Sequence, residues 1–341
     1  MKKQYVVDLK VGKPVDSVFV VSKKIVKQKK NGEDYCLVTL QDKGGDLQGI
    51  MWTEVFKRME DFQEGDFVAV KGQVNEYNKT KQLVIDYLVK VKDESNIEYS
   101  DFIKTTKKNI SGMLSELKNI IGSIENPYLK KLLNLFFQDE VFIKEFCHGT
   151  AAMKYHHAYR GGLLEHTLSV TRVCSLIAEN YNNINKDLLV GGAILHDIGK
   201  IKEYDVGVII TVSDQGKLLG HISMGYSWIM DKIRSLERFP KDLAERLLHI
   251  ILSHHGYKEF GSPVQPKILE AFVVHHVDYL DADVAGYNLL LEESDEEVDW
   301  SRFVKNFERS VLLRQINNED YVEEKKIRRQ KNGRIGQEGL F

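Results

Sequence analysis

The sequence predicts a multidomain α+β chain, with a small N-terminal barrel of five β-strands followed by an all-α region. Three observations carry this expectation. Residues 15–91 are a succession of short β-branched and aromatic runs separated by turn residues. From residue 102 to about 313, apolar side chains recur at helical spacing between cap and breaker residues. All eleven histidines lie between His148 and His276, so metal- and proton-handling chemistry belongs to the second region.

In the first region, VDSVFVVSKKIV, DYCLVTLQD, DLQGIMW, DFVAVKGQVNEY and KQLVIDYLVKV read as strands. Turn signals separate them at Asn31-Gly32, Gly44-Gly45, Gly65-Asp66 and Asn78-Lys79. A short helical piece, TEVFKRMEDF, falls between the third and fourth strands. Five strands with a helix after the third is the order of an OB-fold, a Greek-key barrel that often binds single strands; a barrel without a ligand fits the same pattern. Single strands bind such barrels by aromatic stacking along a basic groove. Tyr35, Trp52 and Tyr77 are the candidate platforms, with Lys23, Lys24, Lys27 and Lys29 along the backbone. Each aromatic taken alone fits packing better than stacking.

The polar stretch DESNIEYSD, residues 93–101, reads as a linker. Helices follow: Pro127 after Asn126 marks a start, NKDLLVGGAILHD opens on an Asn cap, and PKDLAERLLHIILSHHG has Pro in its first turn and Gly past its end. LEESDEEVD, from Leu291 to Asp299, reads as a solvated loop before a last helix, WSRFVKNFERSVLLR. These readings divide the chain into a barrel over 1–95, a linker with helices over 96–150, the chemical domain over 151–320 and a basic tail over 321–341.

Composition bounds the function. Hydrophobic residues are 43% and charged residues 29% of 341, as in a soluble protein with real cores. Net charge is −2, so any affinity for nucleic acid resides in local patches such as Lys23–Lys30 or KKIRRQKNGR. No 18-residue apolar run and no apolar N-terminal segment occur, and Cys36, Cys147 and Cys174 form no CxxC pair. The expectation is a cytoplasmic chain with reduced thiols, no signal peptide and no membrane partner. There is no GxxxxGK[ST] and no GxSxG, which disfavours P-loop and serine-hydrolase chemistry.

The informative residues are His166, then His196-Asp197, then His221, then His254-His255, then Asp278, each on or at the end of a separate predicted helix. Imidazole with carboxylate suits Mn, Fe, Zn, Co or Ni, and helices build such sites with inward-facing ligands. Adjacent residues 196 and 197 can converge on one centre because the helix ends there, and Gly199 lets the chain leave. A lone His-Asp pair is weak, and the sequence does not choose between His254 and His255. Asp197 and Lys200 are the candidate catalytic residues. Lys200 either neutralises Asp197 and offers charge to a phosphate, or is a C-terminal cation offsetting a helix dipole. His156, His157 and Arg160 precede the first ligand and could face substrate phosphate; His249, His275 and His276 read as core or surface residues.

The order H…HD…H…HH…D over residues 154–282 resembles the HD-domain phosphohydrolases. The resemblance implies a first metal on His166, His196, Asp197 and Asp278. It implies that Asp197 bridges to a second metal completed by His221 and by His254 or His255. Two divalent ions activate water and polarise phosphate oxygens, the chemistry a phosphodiester needs. With YHHAYRGGLLEHTLSV, HDIGKI, GHISMG and SHHG behind an OB-fold, the chain is similar to the YhaM-type 3′→5′ exoribonucleases. That similarity implies metal-dependent, usually Mn-dependent, hydrolysis of single-stranded RNA from its 3′ end, and sometimes of single-stranded DNA. Polarity and sugar preference rest on the resemblance alone. A phosphodiesterase of nucleotides or cyclic dinucleotides is the alternative enzyme, although the cyclic-dinucleotide branch usually carries GYP after its paired histidines and this chain reads HHGYKEF. A single-strand-binding regulatory protein with an inactive HD site is the alternative of another class.

Overall fold

A computed structural model describes residues 2–77, 80–153, 156–294 and 298–314. The Asn78-Lys79 turn and the basic tail lie outside the described residues. Residues up to Ala282 form one compact unit, and a second begins at Asp283.

Strands β1 (Pro14–Gln28), β2 (Asp34–Asp42), β3 (Gly45–Met51), β4 (Phe67–Tyr77) and β5 (Thr80–Lys90) close into a barrel in the order β1-β2-β3-β5-β4. Neighbours are antiparallel except β3 and β5, which pair in parallel. Strict alternation sends Cys36, Val38 and Leu40 of β2 inward, where they meet Phe19, Val21, Met51, Val74, Leu83 and Ile85. A register shift between Val21 and Lys23 interrupts the long β1. Helix α1 covers only Thr53–Phe56; beyond it the hydrogen bonds tighten to the three-residue type at Arg58 and Met59, and the predicted ten-residue helix ends early. Phe62 then plugs the barrel interior.

The stretch expected to be a linker is held to the barrel. Asp101 accepts from the Tyr5 hydroxyl at 2.7 Å and pairs with Lys43 at 2.7 Å. Phe102, 1% exposed, packs with Val18, Val20 and Phe67.

Helices α2 (Ile110–Ser123), α3 (Pro127–Phe137), α4 (Glu140–His148), α5 (Gly162–Asn180), α6 (Lys186–Leu195), α7 (Lys200–Glu203), α8 (Asp214–Ser235), α9 (Lys241–Ser253) and α10 (Leu269–Glu293) follow. Their starts are written in side chains: Asn109, Asn126, Asp139, Asn185 and Ser213 accept from the first free backbone N–H groups. Pro240 is itself the cap residue of α9, just outside the helix. Helix α6 is buried from Leu188 to Leu195, which makes it the centre of the helical core with Leu132, Phe136, Leu168, Cys174, Ile250 and Val274 around it. The three cysteines are unpaired and buried.

Three expectations about the helical region fail. Between α7 and α8 the chain forms a two-stranded hairpin, β6 (Tyr204–Val206) and β7 (Ile210–Val212), in what reads as helical sequence. The β-branched run VGVIITV was its signal. The predicted last helix is absent from residues 300–314, where Trp300 bridges Leu312 and Val304 bridges Arg309. Its aromatic and β-branched residues favour extended backbone, and Glu308 takes a left-handed φ of 51° at the turn. Helix α10 also runs through Glu293, into the stretch expected to be loop.

Candidate metal centre

Two helix interiors, two helix ends and one break within a helix supply the site. Helix α5 carries His166, and α10 carries Asp278 and, one turn on, Asp281. Helix α6 stops at Leu195, so His196 and Asp197 lie in the turn that follows, as expected for adjacent side chains that converge. His254 and His255 follow the last turn of α9. His221 comes directly after Gly220, whose φ of 69° and ψ of 154° break α8.

Gly199 is needed for a different reason from the one expected. Its φ of −63° is ordinary, but a Cβ there would overlap the carbonyl oxygen of His221. The glycine lets the turn after the His-Asp pair press against α8, which brings His221 to Asp197.

Each imidazole commits its Nδ1 to the protein. His196 donates to the Ala193 carbonyl at 2.8 Å, His254 to that of Ile251 at 2.7 Å and His255 to that of Phe260 at 2.6 Å. His166 Nδ1 meets Asp281 Oδ2 at 2.7 Å, and His221 Nδ1 meets Glu203 Oε2 at 2.9 Å. The Nε2 atoms are left to face inward, the arrangement outer partners impose on metal-binding histidines.

The donor atoms gather on the two oxygens of Asp197. Around Oδ2, His166 Nε2 and His196 Nε2 each stand 3.3 Å away, and Asp278 Oδ1 is 3.2 Å from His166 and 3.7 Å from His196. Around Oδ1, His221 Nε2 lies at 3.6 Å and His254 Nε2 at 3.5 Å, with His255 in the same cluster. Donors held about 2.0–2.2 Å from a tetrahedral ion stand roughly 3.3–3.6 Å apart, so the spacing fits. Asp197 Oδ1, His221 Nε2 and His254 Nε2 are buried without a hydrogen-bond partner among the described residues, a costly state unless a cation satisfies them.

Burial works against charge here, and the cluster overrides it at one end. Burial would raise the pKa of Asp197, but the Lys200 ammonium and the imidazoles hold it well below the carboxylate range. Burial would lower that of His196, yet the charge of Asp197 lifts it to about 9. At the other end burial prevails: His221 and His254 are lowered, and His255 falls to about 4, so these rings are neutral donors at pH 7. Lys200 is buried with Nζ 2.6 Å from Asp197 Oδ2. This is neutralisation of Asp197, not the exposed helix-end cation of the other reading.

Other expected contacts are redirected. His157 is closed off, with Nδ1 3.0 Å from the Tyr159 hydroxyl and Nε2 2.9 Å from Asp281; it braces the partner of His166 and is not free to meet a phosphate. His156 lies beside His166, ring centres 6.3 Å apart, and burial takes its pKa down to about 4. Arg160 has its backbone tied to Lys104 and Thr106, and its Nε is buried without a partner among the described residues. On the barrel, Tyr35 and Trp52 lie 5.7 Å apart with Lys29 Nζ 5.5 Å over the Trp52 ring. Trp52 is 47% and Tyr77 61% exposed. Lys27, exposed, pairs with Tyr35 in the β1–β2 ladder. The Lys24 ammonium is spent on Asp61 at 2.9 Å and the Phe62 carbonyl at 2.7 Å, so it is not available to a nucleic-acid backbone.

Asp281 and Glu203 were missed in the sequence. Asp281 had a signal, since it lies three residues from Asp278 and therefore on the same helix face. Glu203 had none.

Residues 163–283 match the HD domain family, and residues 19–91 match the OB-fold nucleic acid binding domain family. The 3′-5′ exoribonuclease YhaM of Bacillus velezensis is 31% identical over 284 residues, covering 83% of this chain and 89% of the relative. Its namesake from Bacillus subtilis shows the same identity and coverage. That of Listeria monocytogenes is 30% identical over 287 residues, 84% of this chain and 91% of the relative. With 30–31% identity over more than four-fifths of each chain, the protein belongs to the YhaM family.

Proposed function

We propose that this protein is a metal-dependent 3′→5′ exoribonuclease that hydrolyses the phosphodiester bonds of single-stranded RNA, with single-stranded DNA as a second substrate, in the cytoplasm. The observation that carries the reading is the set of buried donors without partners, Asp197 Oδ1, His221 Nε2 and His254 Nε2, next to a second complete set at His166, His196 and Asp278. All are nitrogen or carboxylate oxygen, a set that suits Mn, Fe, Co, Ni or Zn; the choice of Mn follows from the family. Two divalent cations held there would acidify water into a nucleophile and polarise the phosphate oxygens.

The chain's own groups divide the remaining work. Asp197 offers one oxygen to each cation position, and Asp281, Glu203 and three backbone carbonyls hold the imidazoles in place. Lys200 puts a fixed positive charge beside Asp197, where negative charge from the phosphate would gather. Arg160 and His156 are the side chains proposed to meet the substrate near the first position. Trp52, Tyr35 and Tyr77, with Lys27, offer base platforms and backbone charge for the strand. The three unpaired thiols accord with a reducing compartment. Among the described residues no helix is long and apolar enough to cross a membrane.

The test is incubation of 5′-labelled single-stranded RNA with protein and Mn, with and without EDTA. A ladder of shortening products that EDTA abolishes is the expected result. Intact RNA that is only retarded on a native gel would replace the enzyme with a binding protein. Metal analysis of the same preparation counts the cations.

A further inference from the structure

We infer that the barrel is a working part of the second cation position: through the β6–β7 hairpin it holds Glu203, and Glu203 holds His221. The inference rests on the two-cation reading above and extends it to residues outside the ligand set.

The connection is continuous in the structure. At the hairpin tip, Val208 and Ile209 pack against Val18, Val20, Phe67 and Phe102 on the barrel. Gln41 of β2 donates from Nε2 to the Val208 carbonyl at 3.0 Å and to that of Phe102 at 3.3 Å. The hairpin starts at Tyr204, so Glu203 is the residue from which it springs. Its far end returns to the same point: Ser213 N donates to the Glu203 carbonyl at 2.9 Å, and Ser213 Oγ to that of Lys202 at 2.7 Å.

Glu203 turns both oxygens to His221. Its Oε1 accepts from the His221 backbone N–H at 3.1 Å, and its Oε2 lies at ion-pair distance from Nδ1, 2.9 Å, with no hydrogen-bond partner of its own among the described residues. The first of these contacts is required by the break at Gly220, which takes the His221 N–H out of the helical ladder. The segment just before the break is thinly packed, with Leu218 83% and Leu219 53% exposed. The Gly199 turn backs the His221 main chain from the core side, and Glu203 is the carboxylate that meets its Nδ1.

A two-stranded hairpin is marginal by itself, and each strand here has three residues. Its order therefore depends on the apolar joint at the tip. The ligands of the first position stand apart from this chain of contacts, because His166 and His196 are fixed by Asp281 and Ala193 within the helical core. Loosening the joint should act on one cation position and spare the other.

The experiment is calorimetric titration of metal-free full-length protein with Mn²⁺, comparing the wild type with Ile209→Asp and Gln41→Leu. In the Ile209→Asp variant, the first equivalent should bind as in the wild type and the second about 10–100-fold more weakly, the usual cost of disturbing the partner of a metal-binding histidine. Gln41→Leu keeps the apolar joint and should give a smaller loss of the same kind. It serves as the test should Ile209→Asp lack a cooperative thermal transition. Unchanged binding of both equivalents, or equal weakening of both, overturns the inference while leaving the two-cation reading in place. A wild-type protein that binds fewer than two equivalents overturns both.

Discussion

In the barrel, the proposed contact side chains Trp52 and Tyr77 are 47% and 61% exposed, whereas in the helical domain His166, His196, His254 and Asp197 are at most 1% exposed. The two regions also differ in how those residues come together. Trp52 reaches Tyr35 through a β2–β3 ladder set by a short connection, and Lys27 reaches Tyr35 across a hairpin. Asp278 reaches His166 only when α10 packs beside α5. An open surface tolerates gain and loss of single contacts, since each base is stacked independently. A buried cluster does not, because every donor that loses its partner leaves another unsatisfied.

The largest effect expected is therefore at Asp197, which serves both positions. Asp197→Ala should take RNA shortening below detection and leave gel-shift binding of a long RNA within about twofold, as expected if the barrel holds the strand; normal turnover in that variant would end the ligand assignment. Next is a buried barrel residue outside the proposed strand path. Asp42, fully buried, pairs with Lys2 at 2.6 Å and accepts from the backbone of Val6 and Gly44. Asp42→Ala strands a buried ammonium and should cost about 3–5 kcal/mol in urea unfolding followed by barrel fluorescence. A loss under 1 kcal/mol would mean the pair is not buried in solution.

Asp281→Asn keeps the shape but removes the charge that His166 and His157 share. It should weaken the first equivalent of Mn²⁺ about 10–100-fold, with activity recovered by excess metal; no rescue at any Mn²⁺ concentration would assign Asp281 a role beyond positioning. The smallest effect is on the barrel face. Trp52→Ala should weaken binding of a long single strand by about 1–3 kcal/mol, the worth of one stacked base, with dinucleotide turnover unchanged. Equal losses on both substrates would remove Trp52 from the strand path. Substitutions of this kind are cleaner than deleting residues 1–95, since that cut would uncover Phe102, Val208 and Ile209.

The same contrast explains how much was legible beforehand. Strands β1–β5 could be read because their signals are local: alternation, β-branching and glycine turns. The ligand set could be read because histidine and aspartate are sparse enough, in that order, to stand out. The outer partners could not. Three are backbone carbonyls, which every residue has, and Glu203 is one carboxylate among many until the fold turns it toward His221. Lys24 looked like part of a basic groove because a sequence shows the charge without Asp61, which arrives from 37 residues away to occupy it. The segment from Trp300 to Arg314 misled because its apolar spacing suits a helix while its residue types favour extension.

The three free thiols are divided between the two cores. Cys36 lies in the barrel core, while Cys147 and Cys174 lie in the helical core, and burial pushes the latter two up to about 11 and about 12. Sulfhydryl reagents should thus leave the native molecule untouched and modify it only through transient opening. Mass spectrometry of partly labelled chains would then time the breathing of each half separately, with no engineered probe.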